Sequence, residues 1–204
     1  MTAVGISLAL FSIAGESLRV LVEPEEAGWR LPGDSLQKGE TPAAAATRIL
    51  RGHFGPRTPY HEQLYTFGDE SPRITVAYFA VVPARRIPAG PEFRPANREL
   101  ALRATQQAIL DEAIERLRTK AEYSTVPLRF LEEPFTLSEV QAIYEVLLER
   151  ALDKRNFRRK MLALEAIEQV EGKRRGGAHR PARLFRLSPE RPYLLKERGI
   201  LFPF

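Results

Sequence analysis

The first part of the chain carries short apolar runs of strand length, separated by turn residues. Residues 6–13 and 18–22 are two such runs on either side of Gly15, Glu16 and Ser17, which predicts a β-hairpin. Three further strands are predicted at 29–33, 63–67 and 74–82. Strands that alternate with helices are typical of an α+β or α/β domain.

Two helices are predicted within and after these strands. Thr41 and Pro42 open the first one, with Thr41 as the N-cap and Pro42 at the first helical position. This helix is expected to end near Gly52 or Gly55. After a proline-rich connection at 83–95, a long helix is predicted at 105–123, because apolar side chains recur on one face at Ile109, Ala113, Ile114 and Leu117.

Past residue 134 the pattern changes to short helices. Thr136 and Glu139 fit a capping box, and an apolar stripe follows at Val140, Ile143, Tyr144, Leu147 and Leu148. A second helix is predicted at 154–164, then a basic glycine-rich loop at 172–181 and a strand at 182–187. This order is typical of a winged helix-turn-helix. We therefore predict an α+β domain at 1–126, a joint at 127–134 and an α-rich winged helix-turn-helix domain at 135–204.

Composition and charge narrow the class of protein. The chain has no cysteine, which excludes disulfides and cysteine-ligated zinc, and its three histidines are scattered at positions 53, 61 and 179. The apolar run at 6–13 is too short for a signal peptide or membrane helix, so a cytoplasmic protein is expected. From residue 134 onward lie 15 of the 31 Lys and Arg residues but 9 of the 26 Asp and Glu residues. This excess of positive charge points to a polyanionic partner for the second domain, although a solubilising basic surface would look the same.

Residues 33–56 resemble a degenerate Nudix box, whose pattern is G-x5-E-x7-R-E-U-x-E-E-x-G-U with U a bulky apolar residue. Four residues match this pattern, namely Glu40, Arg48, Leu50 and Gly55. Four others depart from it, since Asp34 replaces the opening glycine, Ile49 replaces a glutamate, and Gly52 and His53 replace the paired glutamates. Nudix enzymes hold Mg²⁺ or Mn²⁺ with these carboxylates, and neither glycine nor histidine serves Mg²⁺ well. We therefore expect no catalytic residue and no metal, with Glu40 bracing the loop through Arg48; a hydrolase that uses Glu40 alone is the alternative.

The resemblance extends over nearly the whole chain. Beyond the box it covers 29–33, 61–69, 72–73, 75–80, 135–145, 156–162 and 180–186, and it is similar to one branch in particular, the Nudix-related transcriptional regulators of NAD metabolism. That resemblance implies an α/β/α sandwich with a mixed sheet, followed by the winged helix-turn-helix. The resemblance also implies a homodimeric transcriptional regulator, such as a repressor. Its pocket is expected to bind ADP-ribose or a related nucleotide without efficient cleavage. Binding of this nucleotide is expected to change the affinity for a double-stranded DNA operator. No cofactor is expected besides this effector.

Candidate ligand-binding residues follow from the chemistry of such an effector. A diphosphate held without metal requires guanidinium groups or backbone amides, and an adenine or sugar face favours an aromatic ring. The candidates are Arg30, Arg48 and Arg73 for the phosphates, Trp29, Tyr65 and Tyr78 for the rings, and Glu40 in the box. Trp29 and Tyr78 have the alternative of ordinary core packing, and Arg48 that of pairing with Glu40.

Candidate DNA-binding residues lie on the predicted helix at 154–164 and in the basic loop. Phe157, Met161 and Leu164 share one helical face, which leaves guanidinium and amide groups opposite for reading major-groove edges. The helix candidates are Arg155, Asn156, Arg158, Arg159 and Lys160, and the wing candidates are Lys173, Arg174, Arg175 and Arg180. For the function of the whole chain, two alternatives to a DNA-binding regulator stay open. One is a Nudix hydrolase with an accessory nucleic-acid module, and the other is a metal-free adaptor for RNA or protein.

Overall fold

The structure is a computed structural model, and it describes residues 3–26, 28–68, 73–90, 92–174 and 181–189. The chain divides into two compact units, Met1–Arg116 and Leu117–Phe204. One long helix, α2, begins in the first unit and ends in the second. The joint predicted at 127–134 stays a prediction.

The first unit is built on a mixed β-sheet. Its elements are β1 (Ala3–Ala14), β2 (Ser17–Glu25), β3 (Gly28–Arg30), β4 (Gly33–Ser35), α1 (Pro42–Phe54), β5 (Tyr60–Gly68), β6 (Arg73–Val81), β7 (Glu92–Pro95) and α2 (Ala104–Tyr123). The sheet order is β3-β2-β1-β6-β5, with β4 paired to β1 and β7 paired to β2. Only the β1–β6 pair among these is parallel, which confirms the predicted mixed sheet.

The central strand β1 is buried on both faces. Leu8 and Leu10 pack into one core cluster with Ala45, Ala46 and Leu50 of α1, while the alternate residues Ala9 and Phe11 are also fully buried, as are Ile109, Leu110 and Ala113 of α2. Because side chains alternate along a strand, Leu8 and Leu10 lie on one face of β1, and Ala9 and Phe11 lie on the other. Together α1, the sheet and α2 form the predicted α/β/α sandwich.

Two strand predictions in this unit were incomplete. The run at 29–33 is two short strands, because β3 pairs with β2 whereas β4 pairs with β1, and Pro32 between them has no N–H to donate. The connection at 83–95 contains the strand β7, which pairs with β2 from Val22 to Arg19. A proline at the end of an edge strand is tolerated, so the proline-rich composition concealed it.

The second unit contains a 3₁₀ turn at Val126–Phe130, α3 (Leu137–Leu148), α4 (Lys154–Ala163), β8 (Ile167–Arg174) and β9 (Ala182–Leu187). The Thr136 hydroxyl accepts from the Glu139 amide at 3.2 Å while a Glu139 carboxylate oxygen accepts from the Thr136 amide at 2.7 Å, so the predicted capping box is present. In the core, the rings of Tyr144 and Phe157 meet edge to face with centroids 5.4 Å apart. Phe135 adds a short bridge to β9 through two backbone bonds with Phe185.

The wing differs from its prediction. Residues 167–174 form the strand β8, antiparallel to β9, so the backbones of Lys173 and Arg174 belong to a strand and not to a loop. Only Ile167 and Val170 of β8 are bulky and apolar, which is too little alternation to predict a strand, and pairing with β9 supplies the order. No helix in the described part of the chain is long and apolar enough to cross a membrane.

Candidate functional site

The loop before α1 is tied to that helix by the Arg48 guanidinium. Its Nε and Nη2 donate to the two carboxylate oxygens of Glu40 at 2.9 and 3.0 Å, as the sequence predicted. Its Nη1 donates to Asp34 Oδ2 at 2.6 Å, and Nη2 also donates to the Ser35 carbonyl at 3.2 Å. All three guanidinium nitrogens are therefore engaged within the box, which leaves Arg48 poorly placed to hold a ligand in this arrangement.

This cluster shifts the ionisation of its members. The hydrogen bond from Arg48, with a backbone hydrogen bond from Ser35, holds the pKa of the Asp34 carboxyl below its ordinary value. The hydrogen bond from Arg48, with a backbone hydrogen bond from Gln37, lowers the pKa of the Glu40 carboxyl in the same way. Both carboxylates in turn raise the pKa of Arg48. The cluster is thus a charged, paired unit at neutral pH.

The residues at the metal-binding positions of the box do not fit Mg²⁺. Gly52 has no side chain, and His53 points its Nε2 to Glu23 Oε1 at 3.5 Å. Glu40, the remaining carboxylate of the pattern, accepts from Arg48 through both oxygens. Among the described residues no group of three or more histidine and carboxylate side chains is arranged to hold a metal ion. A hard cation needs several charged oxygens at close range, and this donor set does not provide them.

A cavity of about 740 Å³ lies between β1, β4 and the start of α2, and we call it the α2 cavity. Its lining is formed by Gly5, Ile6, Ser7, Arg30, Leu31, Gly33, Asp34, Ser35, Gly68, Thr75, Arg103, Ala104, Thr105, Gln106 and Ile109. Gln106 Oε1 accepts a hydrogen bond from the Leu31 amide at 3.2 Å and so joins the first turn of α2 to the segment before β4. A cavity of this volume suits a small-molecule ligand.

Sequence reasoning missed the contribution of α2 to this cavity. Arg103, Thr105 and Gln106 stand about 75 residues after Arg30 and belong to no motif. The available signal was the predicted start of the helix near residue 105, since the first turn of a helix offers unpaired N–H groups.

Two arginine side chains of the lining carry positive charge toward the α2 cavity. Arg30 forms an ion pair with Glu23, and Arg103 forms one with Glu25 at 3.0 Å. Both partner carboxylates belong to β2. The Arg103 side chain is 75% exposed, which makes its ion pair weak and exchangeable. An anionic ligand could therefore take over these guanidinium donors.

The remaining ligand candidates lie outside the residues that line the α2 cavity. The Trp29 ring has the Arg94 guanidinium carbon 3.9 Å from its centroid. Tyr78 is 4% exposed, belongs to the core cluster and donates its hydroxyl to Gln63 Oε1 at 3.3 Å, and burial raises the pKa of its phenol. Tyr65 is exposed on β5 below Arg116. The backbone of Arg73 pairs with Ala3, and its side chain lies outside the described residues.

In the second unit, α4 presents a basic face. Phe157 and Met161 are buried, whereas Arg155 and Arg159 are exposed. The Asp153 carboxylate caps the helix by accepting from the Asn156 amide at 2.7 Å. Arg159 donates to the Asn156 side-chain oxygen at 3.0 Å, which connects two of the predicted DNA-binding residues.

The other predicted DNA-binding residues fall into three groups. Arg158 donates to Ser138 Oγ at 3.0 Å, so this side chain ties α4 to the start of α3. Lys160 is half-buried on α4. The structure describes only the backbones of Lys173 and Arg174, and Arg175 and Arg180 lie outside the described residues.

Comparisons with known proteins agree with this architecture. A family model described as the NrtR DNA-binding winged helix domain matches residues 127–187. The ADPR responsive transcriptional repressor NtrR of Acinetobacter baylyi is 30% identical over 203 aligned positions, and the alignment covers 90% of this chain and 81% of that protein. The chain belongs to the NrtR family. Members of this family are transcriptional regulators. Residues 127–187 of this chain form the DNA-binding winged helix domain of the family.

Solved structures extend the match to the whole NrtR fold. The crystal structure of Shewanella oneidensis NrtR with a 27mer DNA has a TM-score of 0.82 and 29% identity over 92% of this chain and 94% of that one. The same protein without DNA gives a TM-score of 0.79 at 29% identity, with 92% and 95% covered. A MutT/nudix family protein of Enterococcus faecalis, at 20% identity and a TM-score of 0.75 over 92% and 88%, shares the fold. The chain is thus a DNA-binding regulator with the NrtR fold, a Nudix-type domain followed by a winged helix.

Proposed function

We propose that this protein is a transcriptional repressor that binds ADP-ribose in the α2 cavity and an operator in double-stranded DNA through α4 and the wing. The observation that carries the proposal is a ligand-sized cavity beside a Nudix box whose carboxylates are bound by Arg48. The Acinetobacter baylyi relative is named as responsive to ADPR. A pocket that binds the nucleotide without cleaving it leaves the signal intact.

The diphosphate of ADP-ribose is the part of the ligand that the lining suits best. Arg30 and Arg103 offer guanidinium groups, which hold phosphate oxygens in paired hydrogen bonds. The first turn of α2 adds backbone N–H groups and the positive end of the helix dipole. Asp34 stays neutralised by Arg48 at the cavity edge, which limits its repulsion of the ligand.

Loss of hydrolysis belongs to the same proposal. Cleavage of a diphosphate at a Nudix site depends on a metal that neutralises the phosphates and activates water. Gly52, His53 and the arginine-bound Glu40 support a site without that metal. The protein then acts as a sensor and not as an enzyme.

Calorimetric titration of the full chain with ADP-ribose tests the ligand. We expect binding without added metal, and a loss of about tenfold or more in affinity for Arg103→Ala, because a hydrogen bond to a charged group contributes more than a neutral one. Arg98→Ala is the matched control, since Arg98 is 85% exposed and pairs with Asp111 outside the lining. No binding at millimolar ADP-ribose would overturn the proposal for this ligand.

A steady-state assay tests the loss of hydrolysis. The full chain is incubated with ADP-ribose and Mg²⁺ or Mn²⁺, and the release of AMP is measured. We expect no turnover above the metal-only reaction. Robust turnover that disappears in Glu40→Gln would establish a hydrolase instead.

Binding to DNA is tested with a duplex that the full chain selects from a randomised library. We expect the logarithm of affinity to fall steeply with the logarithm of salt concentration, since each neutralised phosphate contributes a slope of about 0.9. Charge reversal at Arg155 and Arg159 together should abolish selection of a site. Lys38→Glu with Arg51→Glu, two exposed positions in the first unit, makes the same change of net charge and should leave affinity nearly unchanged.

The assembly and the target genes remain predictions from the family resemblance. A homodimer would match a two-fold symmetric operator. Light scattering on the full chain measures its mass against that of the 204-residue monomer. Control of NAD metabolism genes is tested by mapping the sites that the protein occupies in cells.

A further inference from the structure

The exposed face of α4 includes an apolar side chain beside its arginines. Leu162 is 48% exposed, one of three large apolar side chains exposed in the described part of the chain. A single exposed leucine is ordinary on a protein surface. Its position on the helix is what requires an explanation.

Leu162 lies on the side of α4 that faces away from the core. At 100° per residue, Arg155, Arg159 and Leu162 fall within about 60° of one another, and they are opposite the buried Phe157 and Met161. The stripe therefore combines two guanidinium groups with one aliphatic group, and we call it the α4 stripe.

The major groove of DNA offers a partner for each member of this stripe. Guanidinium groups read the acceptor edge of guanine, while the C5-methyl group of thymine is the apolar feature of the groove. An aliphatic side chain has no hydrogen bond to give, so burial against that methyl is the favourable contact open to it there. Helix α4 is about 15 Å long, so if it lies along the major groove, both ends of the stripe face base edges.

We infer that Leu162 contacts a thymine methyl group in the operator and makes the protein prefer thymine at that base pair. Leu162 stands seven residues after Arg155, which is about 10 Å along the helix axis. For a helix that lies along the groove, the thymine is about three base pairs from the base that Arg155 faces. The inference rests on the proposed binding of DNA by α4.

Deoxyuridine scanning tests this contact, because deoxyuridine differs from thymidine only by the missing methyl group. Each thymine of the selected duplex is replaced singly, and the dissociation constant is measured for the wild-type chain, Leu162→Ala and the control Ile74→Ala. Ile74 is exposed to a similar extent, 40%, but lies on β6 of the first unit.

We expect the wild-type chain and Ile74→Ala to lose about fourfold in affinity at one thymine of a binding site, the effect of one buried methyl-sized group. Leu162→Ala should show less than about twofold loss at the same position, since its methyl contact is already absent. Equal losses for wild type and Leu162→Ala, no loss at any thymine, or a selected site without thymine would overturn the inference.

Two further outcomes separate this inference from its neighbours. If Leu162 packs against protein, then Leu162→Ala changes the melting temperature or the mass in solution and weakens the thymine and uracil duplexes equally, which contradicts the methyl contact. If the wild-type chain selects no duplex, the proposed function itself fails and the inference fails with it. If the wild-type chain selects a duplex but no replacement of thymidine by deoxyuridine changes its affinity, the proposed function stands and only the thymine contact of Leu162 is overturned.

Discussion

Among single residues, Arg48 is the one from which we expect an acid dependence of stability in the loop before α1. Asp34 and Glu40 have folded-state pKa values below their ordinary values of 3.8 and 4.5. As the pH falls through those ordinary values toward the lowered ones, the unfolded chain binds more protons than the folded chain. The stabilisation from this cluster is therefore complete above about pH 5 and is lost on acidification.

Replacement of Arg48 tests this dependence. We expect Arg48→Gln to be less stable at pH 7 and to lose less stability between pH 5 and pH 3 than the wild type, because its carboxylates regain ordinary pKa values. Denaturant midpoints across this range measure the effect. Arg51→Gln, at an exposed position one turn along α1, should lose as much stability between pH 5 and pH 3 as the wild type does. If wild type and Arg48→Gln lose the same stability between pH 5 and pH 3, the cluster does not contribute to the acid dependence of stability.

Two glycines in the box region should respond in opposite ways to alanine. A Cβ atom at Gly33 would overlap the carbonyl oxygen of Ile6, where β4 pairs with β1, so Gly33→Ala should destabilise by about 1 to 3 kcal/mol. A Cβ atom at Gly52 meets nothing within 4 Å, and Gly52 lies in α1, so Gly52→Ala should stabilise by about 0.5 to 1 kcal/mol. Denaturant unfolding of both variants checks the two signs, and equal effects would contradict the geometry at Gly33.

The residues of the site were predictable where spacing along the chain carries the information. Arg48 follows Glu40 by eight positions in a known pattern, so the sequence predicts their pairing, and the structure confirms it. Asp34 departs from the pattern, and the pattern does not predict that it supplies a second carboxylate for Arg48. Gln106 meets Leu31 across 75 positions of sequence, and no local pattern encodes such a contact.

At the scale of helices and strands, local signals located the helices well. Helix α1 begins at Pro42 after the N-cap Thr41, as predicted, and ends at the C-cap Gly55, one of its two predicted ends, because caps act within one turn. The strands β7 and β8 were missed for a different reason. Each is defined by a partner strand, β2 or β9, and carries few apolar residues of its own.

The capping box makes α3 a test of local signals. Thr136→Ala removes the hydroxyl that accepts from the Glu139 amide, and the loss should be about 1 kcal/mol of stability. Thr136→Ser keeps the hydroxyl and should restore most of that loss. Thermal and denaturant unfolding of the three proteins measures it. An equal loss in Thr136→Ser would assign the effect to the buried methyl group of Thr136 and not to the cap.

For the whole molecule, the distribution of charge predicted which part binds the polyanion, because 15 of the 31 Lys and Arg residues but only 9 of the 26 Asp and Glu residues lie beyond residue 133. Composition did not predict that one helix would extend through both units. The helix α2 begins with residues that line the α2 cavity and continues into the second unit, whose boundary falls at Leu117. A single helix thus belongs to both compact units.

Linkage between the two sites gives the last prediction. If ADP-ribose changes the affinity for the operator by some factor, the operator must change the affinity for ADP-ribose by the same factor. Two titrations of the full chain measure both directions, with ADP-ribose added to free protein and to the protein bound to its selected duplex. The variant reversed at Arg155 and Arg159 should bind ADP-ribose with wild-type affinity whether or not the duplex is present, since it no longer binds DNA. Equal ADP-ribose affinity for free and DNA-bound wild type would mean that the ligand does not control this regulator.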